Sequence, residues 1–217
     1  RETDGVVHCY TQCAQMVFAS RRVCSCNFDS GYCDPSDVVD FTRARREGVR
    51  QLAERFSIRM EDGSHMTNIC PIVGLRQSRQ IVGDYVQTMS DQLRDATFAD
   101  CIAYSAAKYD CHSQDYENQQ DLPILWVWLL GNRERHMGGQ IPYRMLLPKG
   151  IEGMLVACRA ASADNEAHYQ YRTIRNQFRT GEAAGVAAAI SVREQCLPRD
   201  VGVGLIQDKL RASGALG

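Results

Sequence analysis

Residues 141–191 read IPYRMLLPKGIEGMLVACRAASADNEAHYQYRTIRNQFRTGEAAGVAAAIS, and the order of apolar and polar runs in this stretch decides the fold. Tyr143 to Leu147 and Met154 to Cys158 are short apolar runs on either side of Pro148-Lys149-Gly150, a pattern that predicts two strands and a tight connection. Arg159 follows, then a polar stretch with Asn165, Glu166, His168 and Arg172, which reads as a loop. Asn176 to Arg193 contains GEAAGVAAAI and predicts a helix that Asn176 can cap. Gly181 and Gly185 lie four apart, on one face, so that a sheet or a ligand can approach the backbone there. Asp200 to Ser213 predicts a last helix, capped by Asp200 and stopped by Gly214. A strand, a loop and a small-residue helix make an α/β unit.

Upstream, the pattern is mixed α+β. Asp34-Pro35 before SDVVDFTRARREGVRQLAERF predicts a long helix with Asp34 as cap and Val38, Phe41, Val49, Leu52 and Phe56 on its buried side. Arg59 to Asn68 is polar, with a turn signal at Asp62-Gly63. Arg79 to Thr88 reads as a strand in which Gly83 permits a bulge or a close backbone approach. Ser90 to Tyr104 reads as one or two short helices capped at Ser90, with Leu93, Phe98 and Ile102 buried. Ser113 to Asp121 reads as a loop and Leu122 to Leu130 as a buried strand, and the glycines of Gly131 to Gln140 mark a domain junction. The chain is therefore read as two parts, residues 1–140 and 141–217, the second of them α/β.

Composition narrows the function classes. The 217 residues are 44% hydrophobic and 24% charged, which fits a folded chain and argues against disorder. Basic and acidic side chains number 25 and 26, so the electrostatic footprint of a nucleic-acid binder is missing. The longest apolar run, Leu122 to Leu130, is far short of the ~20 residues of a membrane span. Of the ten cysteines, Cys9, Cys13, Cys24, Cys26 and Cys33 cluster near the start. Their spacing matches neither paired CxxC zinc sites nor a common iron–sulfur run, and free thiols, disulfides and a metal-binding module stay open. Arg1 is preceded by no methionine and followed by no signal-peptide core, which predicts a processed start or a piece of a longer chain. The compartment is left open, with the cytoplasm favoured.

The corner after Cys158 has a physical reading of its own. A helix starting there presents free N–H groups and the positive end of its dipole to the end of the preceding strand, a seat for an anion or an electron-rich carbonyl. An ordinary βα corner with surface charges is the alternative.

Several ordered motifs go further. IPYR, the proline turn, LVACR, EAH followed by an arginine, and GEAAGVAAA resemble the C-terminal signature of FAD-dependent oxidoreductases related to the fumarate reductase and succinate dehydrogenase flavoproteins. GLRQSRQIVGDY (74–85) and Asp110-Cys111-His112 resemble further signatures of that family, and the likeness spans about Asp34 to Gly217. The resemblance implies the C-terminal part of a two-part, Rossmann-like FAD-binding flavoprotein that passes hydride or electrons between a small organic substrate and FAD. It implies that residues 1–140 are mostly a substrate or cap region, that residues 141–217 are the returning segment of the FAD-binding domain, and that Arg159 lies by the ribityl or pyrophosphate part of FAD. It also implies that Asn176, Gln177 and Phe178 offer backbone N–H groups to the flavin N1 and C2 carbonyl. His168 and Arg172 would face the substrate, with His112 and Arg76 contributed by the other half.

Three positions depart from the family pattern. Cys158 and Tyr169 stand where glycines are usual, and the usual proline at the helix start is replaced around Arg175. No GxGxxG fingerprint occurs among the 17 glycines, so the resemblance implies a missing N-terminal FAD-binding portion or a companion subunit. A noncatalytic subunit or interaction module that retains the fold without FAD is the competing expectation.

Overall fold

The computed structural model describes residues 7–10, 14–17, 23–26, 29–57, 65–69, 74, 79–105 and 139–216. Two compact units divide the chain, Arg1–Ser78 and Arg79–Gly217. The expected junction at Gly131 to Gln140 lies almost wholly outside the described residues, as do the loop at Ser113 to Asp121 and the strand at Leu122 to Leu130.

In the first unit, β1 (Val7–Tyr10) pairs antiparallel with β4 (Asp29–Cys33). β2 (Ala14–Val17) lies between β3 (Val23–Cys26) and β5 (His65–Ile69), antiparallel to both. The β5 strand occupies the end of a segment whose polarity predicts a turn. α1 (Val38–Ser57) is the expected long helix, but Asp37 holds its start: the carboxylate accepts from Val39 N at 2.8 Å, while Asp34 caps only Ser36 N. Ala44, Gly48 and Leu52 form its buried stripe. Val38, expected inside, is 75% exposed.

Among its described residues the second unit is a mixture of helices and one small sheet, compatible with an α/β class. β6 (Cys101–Ser105) pairs antiparallel with β7 (Gly139–Pro142). The sequence predicts helix through 104, yet only α2 (Met89–Leu93) is helical there. Thr88 and Asp91 close a reciprocal capping box on it, so Thr88 replaces Ser90 as the cap. Ile102 is buried as expected, whereas Leu93 is half exposed.

The two strands expected at 143–147 and 154–158 are not strands. Tyr143–Leu146 is a 3-10 turn, because Asp100 takes hold of it: Tyr143 N donates to Asp100 O at 2.8 Å and Arg144 N to the Asp100 carboxylate at 3.1 Å. The same carboxylate receives Arg144 Nε at 2.9 Å. Residues 154–157 run without a ladder, tied by Val156 N to Leu146 O.

The segment 80–88 is extended but joins its neighbours through single bridges, Gly83 to Pro148 and Gln87 to Ala163. Gly83 makes the expected close approach: a Cβ there would stand 2.8 Å from Ser162 Cβ and 3.1 Å from Met145 O.

Three helices complete the unit. α3 (Asn165–Tyr171) occupies the stretch that reads as a polar loop; the Asp164 carboxylate caps it through Ala167 N at 2.7 Å and also receives Met89 N at 3.1 Å. α4 (Ile174–Arg193) buries Asn176, Thr180, Ala183, Ala187, Ile190 and Ser191. Gly181 and Gly185 are on the opposite, exposed side, with nothing among the described residues within 4 Å of an added Cβ. α5 (Val203–Ala212) begins after Gly202, not at Asp200, and ends at Gly214 in the left-handed region (φ 76°) as expected. The core lies between β6, β7 and the 3-10 turn on one side and α4 and α5 on the other, centred on Ile102, Ile141, Met145, Ala187, Ile206 and Leu210.

Candidate cofactor and substrate site

The corner where α3 hands over to α4 gathers most of the residues singled out in the sequence. His168 and Arg172 lie four apart on α3, hence on one face of it. His168 is 1% exposed and Arg172 8%. The His168 Nε2 is 2.8 Å from Arg159 O, so Arg159 contributes its carbonyl to seating the imidazole. Burial, together with the positive charges of Arg172 and Arg159, pushes the His168 pKa down to about 4, although the hydrogen bond to Arg159 works the other way. The ring is neutral at physiological pH.

Tyr169 fills the place after His168 with a side chain that is 2% exposed, and the Arg172 guanidinium stands 5.7 Å from the centre of its ring. That distance is within cation–π range. Tyr171 is buried, and burial raises its hydroxyl pKa strongly. Cys158 is exposed, a free thiol in the turn before Ala160.

At the start of α4 the geometry differs from the expected pattern in one respect. Thr173 is the N-cap and gives no side-chain cap. The backbone N–H groups of Asn176 and Gln177 both donate to Thr173 O, at 3.0 and 3.1 Å. The N–H groups with no intrahelical carbonyl are therefore those of the first turn before them, Ile174 and Arg175. Asn176 acts through its buried side chain, which donates to Ser105 Oγ at 2.8 Å and to Gln170 O at 2.9 Å. Gln177 Nε2 donates to Tyr171 O at 2.7 Å. Phe178 is 77% exposed. His112 and Arg76 lie outside the described residues.

Two enclosed polar atoms at this corner, His168 Nδ1 and Thr173 Oγ1, meet no hydrogen-bond partner among the described residues, while the Tyr171 hydroxyl lies within reach of the Thr180 and Gln177 side chains. Such atoms are rare in native proteins and call for an explanation. Sequence reasoning did not single out Tyr171 or Thr173; the spacing of Tyr171 three residues after His168 was the available signal, once Asn165–Tyr171 is taken as helix. Among the described residues no group of three or more His, Cys, Asp or Glu is placed to hold a metal, and no helix is long and apolar enough to cross a membrane. Cys101, Cys158 and Cys196 are free thiols.

An uncapped helix start beside buried, partnerless polar side chains is the kind of corner that α/β proteins use for a bound cofactor. The family model described as FAD dependent oxidoreductase matches residues 8–210, and the chain belongs to that family. FAD is the cofactor this membership implies, with a general oxidoreductase role. No curated protein and no solved structure matches the chain significantly.

Proposed function

We propose that this chain is the flavin- and substrate-facing part of an oxidoreductase that passes hydride or electrons between a small organic substrate and FAD. The observation that carries the reading is the set of partnerless polar atoms at the α3–α4 corner, beside a helix start without a side-chain cap. These residues fit a polar group that brings its own donors and acceptors. When bound, FAD supplies the two-electron acceptor chemistry that no side chain has.

The protein's own residues do the rest. The N–H groups at Ile174 and Arg175, with the dipole of the 20-residue α4 behind them, favour negative charge at the helix start. Gln177, through Tyr171 O, and Asn176, through Ser105 and Gln170, hold that start against α3 and β6. Arg172 is assigned to orient an anionic group of the substrate, and His168 to meet the substrate or cofactor through a ring nitrogen. Arg159 is assigned a place beside the cofactor, a role its carbonyl's contact with His168 Nε2 supports. Phe178, Arg76 and His112 remain proposed members of the site on the strength of the motifs. The pyrophosphate clamp of dinucleotide folds has no counterpart among the 17 glycines, so on this reading it is supplied by a segment or subunit outside these residues.

A visible spectrum of the purified protein, with FAD added, tests the reading. Bands at about 370 and about 450 nm that co-purify with the protein support it; a colourless protein that takes up no flavin overturns it. The second reading, a module that keeps the fold without FAD, draws on Tyr169, whose buried ring takes up space where the family pattern has glycine.

A further inference from the structure

One atom of the corner carries more than the general reading on which this inference rests. His168 Nε2 lies 2.8 Å from the Arg159 carbonyl oxygen. A carbonyl oxygen only accepts, so Nε2 bears the hydrogen and donates it. A neutral imidazole has one ring hydrogen, which leaves Nδ1 with a bare lone pair. That nitrogen is enclosed and meets no donor among the described residues.

Protonating it as well would bring a cation into a buried site that already faces the guanidinium groups of Arg159 and Arg172, the charged groups that bear on it. Both burial and those charges oppose that state. The unfilled position at Nδ1 therefore asks for a hydrogen, not for a lone pair.

We propose that Nδ1 of His168 receives an O–H or N–H group of the small molecule bound at this corner, so that His168 selects a hydrogen-bond donor on its ligand instead of holding a carboxylate. A carboxylate oxygen carries no hydrogen and would set lone pair against lone pair at Nδ1. A hydroxyl or an amine fits, and either the cofactor's own hydroxyls or a hydroxyl-bearing substrate can provide it.

The test is nuclear magnetic resonance of the protein labelled with 15N in its histidine rings, with flavin absorbance read in parallel. In the free protein, the His168 Nδ1 signal has the downfield position of an unprotonated nitrogen and keeps it from pH 8 down to about pH 5. FAD is then added, and glycolate after it as a simple hydroxyl-bearing acid. An upfield shift of Nδ1 on FAD alone assigns the donor to the cofactor; a shift only on glycolate assigns it to the substrate side. A protonated Nδ1 in the free protein overturns the proposal. So does an unmoved signal in both steps while the absorbance reports bound flavin. Absence of flavin binding overturns the flavin reading itself, and the ligand named here with it; the absorbance record separates the two failures.

Discussion

Replacing Gly83 with alanine measures how tightly the extended segment 80–88 is pressed against the loop that leads into the site. The added Cβ would stand 2.8 Å from Ser162 Cβ, 3.1 Å from Met145 O and 3.2 Å from Arg144 O. None of these neighbours is the end of a flexible side chain. Ser162 is held through its backbone, its N–H donating to Met145 O at 3.3 Å and its carbonyl accepting from Gln87 N at 3.1 Å. Overpacking of this kind costs about 1–3 kcal/mol.

An opposing effect is smaller. Gly83 is not among the glycines with positive φ, so alanine suits its backbone, and the loss of unfolded-state freedom returns roughly 0.5 kcal/mol. The net is a destabilisation of about 1.5 kcal/mol, a drop in Tm of roughly 3–6 °C for a chain of this size. Circular dichroism at 222 nm through a thermal ramp reads it. Ser162→Gly in the same background removes the shortest contact and restores at least half of the loss. An alanine variant that melts at or above the wild-type temperature refutes the close approach.

Three further outcomes follow from the corner and its supports. The His168 pKa falls from 6.5 to about 4 on folding, so the unfolded chain binds the extra proton between those values and stability is lost as pH falls through that window; the shift corresponds to about 3 kcal/mol, and urea unfolding of the wild type and His168→Gln at pH 7 and pH 4 checks it, the variant showing the weaker dependence. Asp100→Asn breaks the two-toothed grip on Arg144 and lowers stability by about 1–2 kcal/mol in denaturant titration, less at the low pH where Asp100 itself is protonated. Arg172→Ala in the FAD-loaded protein lowers turnover at least about tenfold while FAD content, read by absorbance, stays near wild type; equal losses of both would assign Arg172 to cofactor or fold.

The long helices were legible because periodicity and punctuation agree over many residues. α1, α4 and α5 announce themselves by helical spacing, helped by an acidic residue near the start of α1 and a glycine past the end of α5. The short elements were not, and the reason is the same in each case: a bond from a distant residue decided them. Tyr143–Leu146 has an apolar run that suits a strand, but Asp100 captures the Tyr143 and Arg144 N–H groups and closes a 3-10 turn. Asn165–Tyr171 looks polar enough for a loop, yet Asp164 caps it while its other carboxylate oxygen takes Met89 N from 75 residues away. Cys101–Ser105 takes its backbone partners from β7, distant in the chain. No local pattern contains that information. His168 and Arg172 were singled out by the family resemblance, which does not depend on whether their segment is read as loop or helix.

Asn176 shows how a residue can be chosen well and given the wrong task. Its place at the start of a long helix suggests a cap or a backbone donor, but its own N–H is spent on Thr173 O and its side chain is turned inward to Ser105 and Gln170. Asn176 and Gln177 tie the start of α4 to β6 and to α3, beside the Ile174 and Arg175 N–H groups that have no intrahelical carbonyl. Preorganised donors act on developing charge without having to move. Thr173 leaves its own hydroxyl unspent beside them. A helix start built only for stability would use that hydroxyl to cap itself, a contribution of about 1 kcal/mol that this chain forgoes. Forgoing it makes sense where a ligand takes the cap's place.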